Sequence, residues 1–273
     1  MSSARGLRGA ACALTALWLT AQAQPQAPAQ PQVGVLTDPC AEDPDKWRGN
    51  TQAWRELDWG QRCRYFRQNL HVAASRAARV VFIGDSITES WADADPGLFA
   101  KGFVNRGIGG QTSDQMLVRF RSDVIGLEPL VVHIMAGTND VAGNTGPTSL
   151  GFIEGNIQAM VEQALLHHIR VVIASVPPAA HIPWRAEIRR PDIVIARLNG
   201  WLRDYAGCQR AVFVDYTAVL GDGHGGMKGE FSPDGVHPNA AAYAAMAPLA
   251  RAAIARALSQ PAVRTPRADC RAG

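Results

Sequence analysis

The sequence predicts an α/β protein built on a parallel sheet with helices on both faces. Three observations carry that reading. Short apolar runs recur at Arg79–Ile83, Gly102–Asn105, Leu130–Met135, Arg170–Val176 and Ala211–Asp215. Longer amphipathic segments with helical spacing lie near 112–125, 148–168 and 192–206, with a last one near 239–258. Runs that are apolar throughout, rather than alternating, belong to strands buried on both faces, the condition of a parallel sheet between helical layers. Thirdly, glycines and polar residues crowd the ends of the runs, where ligands bind in such sheets.

The 273-residue chain opens with a different kind of segment. Arg5 and Arg8 give a positive start, Ala10–Ala21 is apolar and free of acids, and Ala21-Gln22-Ala23 has the small-x-small pattern of a cleavage site. Residues 1–23 therefore read as a secretory signal peptide cut after Ala23. The apolar stretch falls short of the roughly 20 residues of a membrane span, so no stable membrane anchor is expected. Cys12 has no apolar run before it, which argues against lipid attachment. Residues 24–38 are rich in Pro, Gln and Ala and read as a disordered lead-in. The formal charge of +3 falls to +1 once Arg5 and Arg8 are gone, and no basic stripe exists, so nucleic acid is not an expected partner.

Residues 39–75 read as an N-terminal helical extension, with Trp47, Trp54, Leu57, Trp59, Tyr65, Phe66 and Leu70 as its apolar contacts. Residues 76–260 hold the sheet pattern, at 47% hydrophobic and 19% charged composition for the whole chain, and 261–273 form a tail. Past the leader the cysteines are Cys40, Cys63, Cys208 and Cys270. An even number in an exported chain points to two disulfides, for which three pairings exist, against the alternative of free thiols. Cys40–Cys63 would close the N-terminal hairpin and Cys208–Cys270 would tie down the tail, which favours that pairing. The spacings fit no metal site.

The first strand runs into Gly84-Asp85-Ser86-Ile87-Thr88, a strand-to-helix turn. A serine there lies beside the unpaired N–H groups of a new helix, which favour negative charge. From this segment alone Ser86 is as readily a helix cap as a nucleophile. A serine nucleophile needs a histidine base held by a carboxylate. His133 falls inside a strand and reads as a core residue, His167 and His168 fall in a helix, and His181 and His224 lack a well-spaced acid. His237 follows Asp234 by three residues in Ser232-Pro233-Asp234-Gly235-Val236-His237-Pro238, a loop that could fold back on itself or be a plain turn. The Ser86 N–H, the Gly110 N–H after strand two and the Asn139 amide after strand three could hold an oxyanion. Gly110 could equally be only a turn, and Asn139 only a cap.

Together, Gly84-Asp85-Ser86-Ile87, Gly107-Ile108-Gly109-Gly110, Gly137-Thr138-Asn139-Asp140 and Asp234-Gly235-Val236-His237 resemble the four blocks of the SGNH hydrolase, or GDSL esterase, family. The resemblance covers about residues 79–258 and departs from the motif at Ile87, where the family name has leucine. It implies a flavodoxin-like three-layer α/β/α sandwich with sheet order 2-1-3-4-5. It implies Ser86, Asp234 and His237 as a catalytic triad, and Ser86, Gly110 and Asn139 as the oxyanion hole, with no metal or cofactor. The glycine block is similar to that of the platelet-activating-factor acetylhydrolase-like branch, which leans towards short acyl groups.

The function expected is an exported serine esterase acting on short acyl esters, foremost acetyl, of carbohydrate or of small alcohols. A lysophospholipase, an arylesterase or an acyltransferase would use the same triad. A non-catalytic carbohydrate-binding protein, with Trp91, Trp184 and Trp201 as platforms, is a further alternative. A dinucleotide site would need glycine at Thr112 and is not expected. The loop Val176–Pro191 should border the site, with Trp184 and Arg185 as candidate substrate contacts. The sequence does not fix the oligomeric state.

Overall fold

The apolar runs become five strands of one parallel sheet in the computed structural model, which describes residues 38–42, 58–261 and 265–270. The leader, all of the lead-in but Asp38, and Trp47, Trp54 and Leu57 of the extension lie outside the described residues. The strands are β1 (Val80–Gly84), β2 (Phe103–Gly107), β3 (Val131–Met135), β4 (Arg170–Ala174) and β5 (Val212–Val214), in the order β2-β1-β3-β4-β5. Every neighbouring pair is parallel.

Alternate residues of each strand feed different cores. On one face Val81, Ile83, Val132, Ile134, Val171 and Ile173 meet helices Ser113–Asp123, Leu150–Leu166 and Pro191–Gln209. On the other, Val80, Phe82, Val131, Val172 and Val214 meet helices Ser86–Ala94 and Ala240–Ser259 through Ile87, Trp91, Tyr243, Met246 and Ile254. Each large apolar side chain buried this way contributes about 1.5–3 kcal/mol. In chain order the helices are α1 (Pro39–Glu42), α2 (Phe66–Ser75), α3 (Ser86–Ala94), α4 (Ser113–Asp123), α5 (Thr138–Val141), α6 (Leu150–Leu166), α7 (Pro191–Gln209), α8 (Thr217–Leu220) and α9 (Ala240–Ser259). Among the described residues no helix is long and apolar enough to cross a membrane.

β2 runs two residues past the expected Asn105, because Arg106 and Gly107 stay in register beside Ile83 and Gly84. Gly107 permits this: a Cβ there would fall 2.1 Å from the backbone nitrogen of Glu89. The end of β2 thus lies directly against α3, and any side chain at 107 would push that helix off the sheet.

Two of the expected apolar contacts of the N-terminal extension are exposed, Trp59 at 45% and Leu70 at 58%, while Val72 of α2 packs against the core. Polar contacts also hold the described part of this segment. Tyr65 donates to the Gly107 carbonyl, Asn69 Nδ2 reaches Asp123 Oδ1 at 2.6 Å, and Arg106 Nε reaches Asn69 Oδ1 at 2.8 Å. Disulfides join Cys40 to Cys63 and Cys208 to Cys270. The second bond spans 62 positions and holds the tail against α7, where Gln209 exchanges two hydrogen bonds with the Arg267 backbone.

Candidate active site

α3 begins one residue after β1, and the Asp85 carboxylate caps it by accepting the Ile87 N–H at 2.9 Å. Because Asp85 does the capping, the Ser86 hydroxyl is free to point elsewhere. Its Oγ lies 3.1 Å from His237 Nε2, across 151 positions of sequence. His237 Nδ1 lies 2.7 Å from Asp234 Oδ2, while Asp234 Oδ1 accepts the backbone N–H groups of Val236 and His237 at 2.9 and 2.8 Å. Gly235, at φ 79°, makes the sharp turn that lets Asp234 reach both.

Partial burial works to raise the Asp234 pKa, but hydrogen bonds from the His237 ring and from the His237 and Val236 N–H groups outweigh it and hold the carboxyl well below its ordinary range. An ionised carboxylate only accepts, so His237 carries its proton on Nδ1 and turns the Nε2 lone pair to Ser86. α9 keeps this arrangement in place. Tyr243 in its first turn donates to the Ile87 carbonyl of α3 at 2.8 Å and stacks on Trp91 at 5.5 Å.

The oxyanion candidates lie after β2 and β3. Gly110 sits at φ 79°, and its N–H has no intramolecular acceptor among the described residues. Asn139 is 3% exposed at the start of α5. Its Nδ2 lies 3.2 Å from Asp85 Oδ2 and 3.1 Å from the Gln111 carbonyl. Both bonds sit at the upper end of the N–H···O range, so an anion placed beside the amide would compete for these hydrogens.

Two buried carboxyls underlie these groups. Burial raises Asp85 from 3.8 to about 6, and burial likewise raises Asp140, whose carboxylate accepts from Ser113. A carboxyl whose pKa is raised on folding stabilises the fold fully below its unfolded pKa, and that contribution is lost as pH rises through the folded pKa. Unfolding free energy in urea should therefore fall between about pH 4 and pH 6, by on the order of 3 kcal/mol for Asp85. Asp85→Asn should remove its share of that fall, and an unchanged pH dependence would disprove the assignment.

Trp184, expected at the border, packs its ring 5.5 Å from the His237 ring and is 40% exposed. Arg185 faces the protein: Nε donates to the Ala142 carbonyl at 2.9 Å, a terminal nitrogen donates to the Gly143 carbonyl, and Glu187 pairs with it. Trp91 is fully buried and cannot be a sugar platform, and Trp201 stacks on Tyr205. His133 is a core residue, as read from sequence. It bonds Tyr216 Oη at 2.9 Å, and burial lowers it to about 3.

No sequence signal marks Asn144, Gln111 or Arg119, whose importance lies in contacts across the fold. Arg119 is completely buried. It bonds the Gly84 and Arg106 carbonyls, Gln111 Oε1 and Asp123 Oδ2 at 2.6–3.0 Å. One side chain so fixes the ends of β1 and β2 and the loop carrying Gly110. A buried arginine inside an amphipathic pattern reads as surface until its partners are known.

The GDSL-like lipase/acylhydrolase family model matches residues 82–245, a span that includes all four motif blocks. The chain belongs to this family. It is similar to a GDSL-like lipase from Bacteroides thetaiotaomicron, at 41% identity and TM-score 0.70 over 72% of this chain and 98% of that one. Its fold is also that of Axe2, an acetylxylan esterase from Geobacillus stearothermophilus, at 22% identity and TM-score 0.53 over 69% of this chain and 97% of that one. A shorter match joins it to the uncharacterized lipoprotein YqeF of Bacillus subtilis, 34% identical over 28% of this chain and 32% of that protein. As a member of the GDSL-like family the protein is a carboxylic ester hydrolase.

Proposed function

We propose that this GDSL-family hydrolase cleaves short acyl esters, acetyl above all, through a covalent ester on Ser86. The observation that carries the proposal is the line from Ser86 Oγ to His237 Nε2 and from His237 Nδ1 to Asp234, laid at the N-terminus of α3. His237 takes the Ser86 proton as Oγ attacks the ester carbonyl. The oxyanion forms beside the N–H groups of Ser86 and Gly110 and the Asn139 amide. The carbonyl–alkoxy bond breaks, and His237 returns the proton to the leaving alcohol. Water then repeats the cycle on the acyl-enzyme, releasing the acid and freeing Ser86. No step draws on a metal or cofactor.

The short-acyl preference rests on Trp184, whose ring stands against His237 and walls the space beside the hole. A wall tied in place suits a two- or three-carbon acyl group and leaves the alcohol side open to a carbohydrate or a small ester. Arg185 serves as a brace for the Ala142–Gly143 turn rather than as a substrate ligand. Export fits the leader-like N-terminus, the two disulfides and the likeness to a bacterial lipoprotein.

On p-nitrophenyl esters of increasing chain length, kcat/KM should be highest for acetate and fall by about tenfold or more by ten carbons, since each clash with a fixed wall is worth 1–3 kcal/mol. Acetate release from acetylated xylan, xyloglucan, pectin and peptidoglycan then identifies the alcohol. A maximum at ten or more carbons would refute the acetyl reading, and no release from the panel would leave small esters as the substrate.

A further inference from the structure

Trp184 Nε1 donates to Asn144 Oδ1 at 3.1 Å. Asn144 Nδ2 donates to Asn139 Oδ1 at 2.7 Å and to the Gly110 carbonyl at 3.2 Å. Asn139 Nδ2 in turn faces Asp85 Oδ2 and the Gln111 carbonyl. The direction of this chain is not a matter of choice. An indole N–H can only donate, so Asn144 must present its oxygen to Trp184 and its nitrogen to Asn139. Asn139 must then present its oxygen to Asn144 and its nitrogen inward. Reversing Asn144 would set donor against donor at Trp184 and oxygen against oxygen at Asn139 and Gly110, and reversing Asn139 would set donor against donor at Asn144 and its oxygen against the Gln111 carbonyl.

We propose that Trp184 and Asn144 are positioning residues that act as a one-way relay, holding the Asn139 amide with its N–H groups turned towards the oxyanion. The proposal rests on the reading of Ser86 as nucleophile and Asn139 as oxyanion donor. On the inward side the Gln111 carbonyl can only accept and the Asp85 carboxylate accepts when ionised, so both favour the Asn139 nitrogen there. Those bonds are 3.1 and 3.2 Å long, whereas the Asn144 N–H meets Asn139 Oδ1 at 2.7 Å, so Asn144 adds the shortest contact that holds the amide in this sense. Asn144 also grips the carbonyl of Gly110, so one side chain steadies the two hole donors that do not belong to Ser86. Because the relay begins in the loop after β4, Trp184 contributes twice: its ring walls the site, and its N–H sets the polarity of the hole.

The test uses the full chain and p-nitrophenyl acetate. Asn144→Ala should lower kcat about 10- to 100-fold with KM changed less than about threefold, part of the loss seen when an oxyanion donor is removed outright. Asn144→Asp should be worse than Asn144→Ala although it is isosteric, because a carboxylate can only accept and pulls the Asn139 nitrogen outward. A packing role would give the opposite order. Trp184→Phe, which keeps a ring and drops the N–H, should lose kcat about threefold to tenfold. In an Asn139→Ala background the Asn144→Ala loss should shrink to less than about threefold, since coupled residues are non-additive. Wild-type kcat in Asn144→Ala, Asn144→Asp more active than Asn144→Ala, or an undiminished loss in the Asn139→Ala background would each overturn the relay. An inactive Ser86→Ala beside any of those results would leave the esterase mechanism standing, whereas an active Ser86→Ala would remove the mechanism and the relay together.

Discussion

Ser86→Ala should lower kcat on p-nitrophenyl acetate by about a millionfold, because nucleophile and base act as one unit and loss of either disables both. The fold should be unaffected. The α3 cap belongs to Asp85, and alanine has the highest intrinsic helix propensity. Thermal unfolding should therefore match wild type within about 0.5 kcal/mol. This separation of activity from stability follows directly from which residue does the capping. Were Ser86 the cap, the same change would cost about 1 kcal/mol and leave turnover intact. Mass spectrometry after rapid quenching supplies the second readout, with an acyl adduct on the Ser86 peptide of wild type and none on the variant. Turnover by Ser86→Ala near the wild-type rate would end the assignment.

Arg119→Met should destabilise the protein by about 3–5 kcal/mol, the penalty for leaving one member of a buried ion pair without the other. Arg119 and Asp123 are both fully buried and 2.9 Å apart. Methionine fills much of the volume but abandons Asp123, Gln111 Oε1 and the carbonyls of Gly84 and Arg106. Denaturant midpoints at unchanged slope measure the loss. A double variant, Arg119→Met with Asp123→Leu, should recover a large part of it, because replacing a buried pair by apolar residues is often neutral. A single variant within about 1 kcal/mol of wild type would show that water reaches the site.

The sheet was legible because its strands are buried on both faces and so carry unbroken apolar runs. The end of β2 was not. Arg106 breaks the run chemically while its backbone continues the ladder, and its stacking on Tyr65 at 4.7 Å and its bonds to Asn69 and the Asn105 carbonyl make burial tolerable. The residues proposed as nucleophile, acid and base stood out in the sequence for a different reason. They sit in short loops punctuated by glycine and proline, where few residues satisfy both the turn and the chemistry. Asn144 escaped notice because its sequence surroundings, Gly143-Asn144-Thr145-Gly146, are those of any surface turn. The three partners that give it meaning come from positions 110, 139 and 184. Trp184 was singled out for its ring, whereas its N–H is visible only once Asn144 is placed. The polar docking of α2 was illegible too, since Tyr65 and Asn69 find their partners on β2 and α4.

The bond between Cys208 and Cys270 has a topological consequence. It converts residues 208–270 into a covalent ring, and that ring contains β5, Asp234, His237 and all of α9. The stretch 222–225 within it is solvent-exposed and rich in glycine, the sort of site where extracellular proteases cut. A single cut there opens the ring without dividing the molecule, and the portion bearing the acid and base stays tethered to the portion bearing the serine. A cut in the exposed stretch around Trp184 lies outside the ring and has no such safeguard. The two exposed stretches thus differ in how much damage the molecule survives.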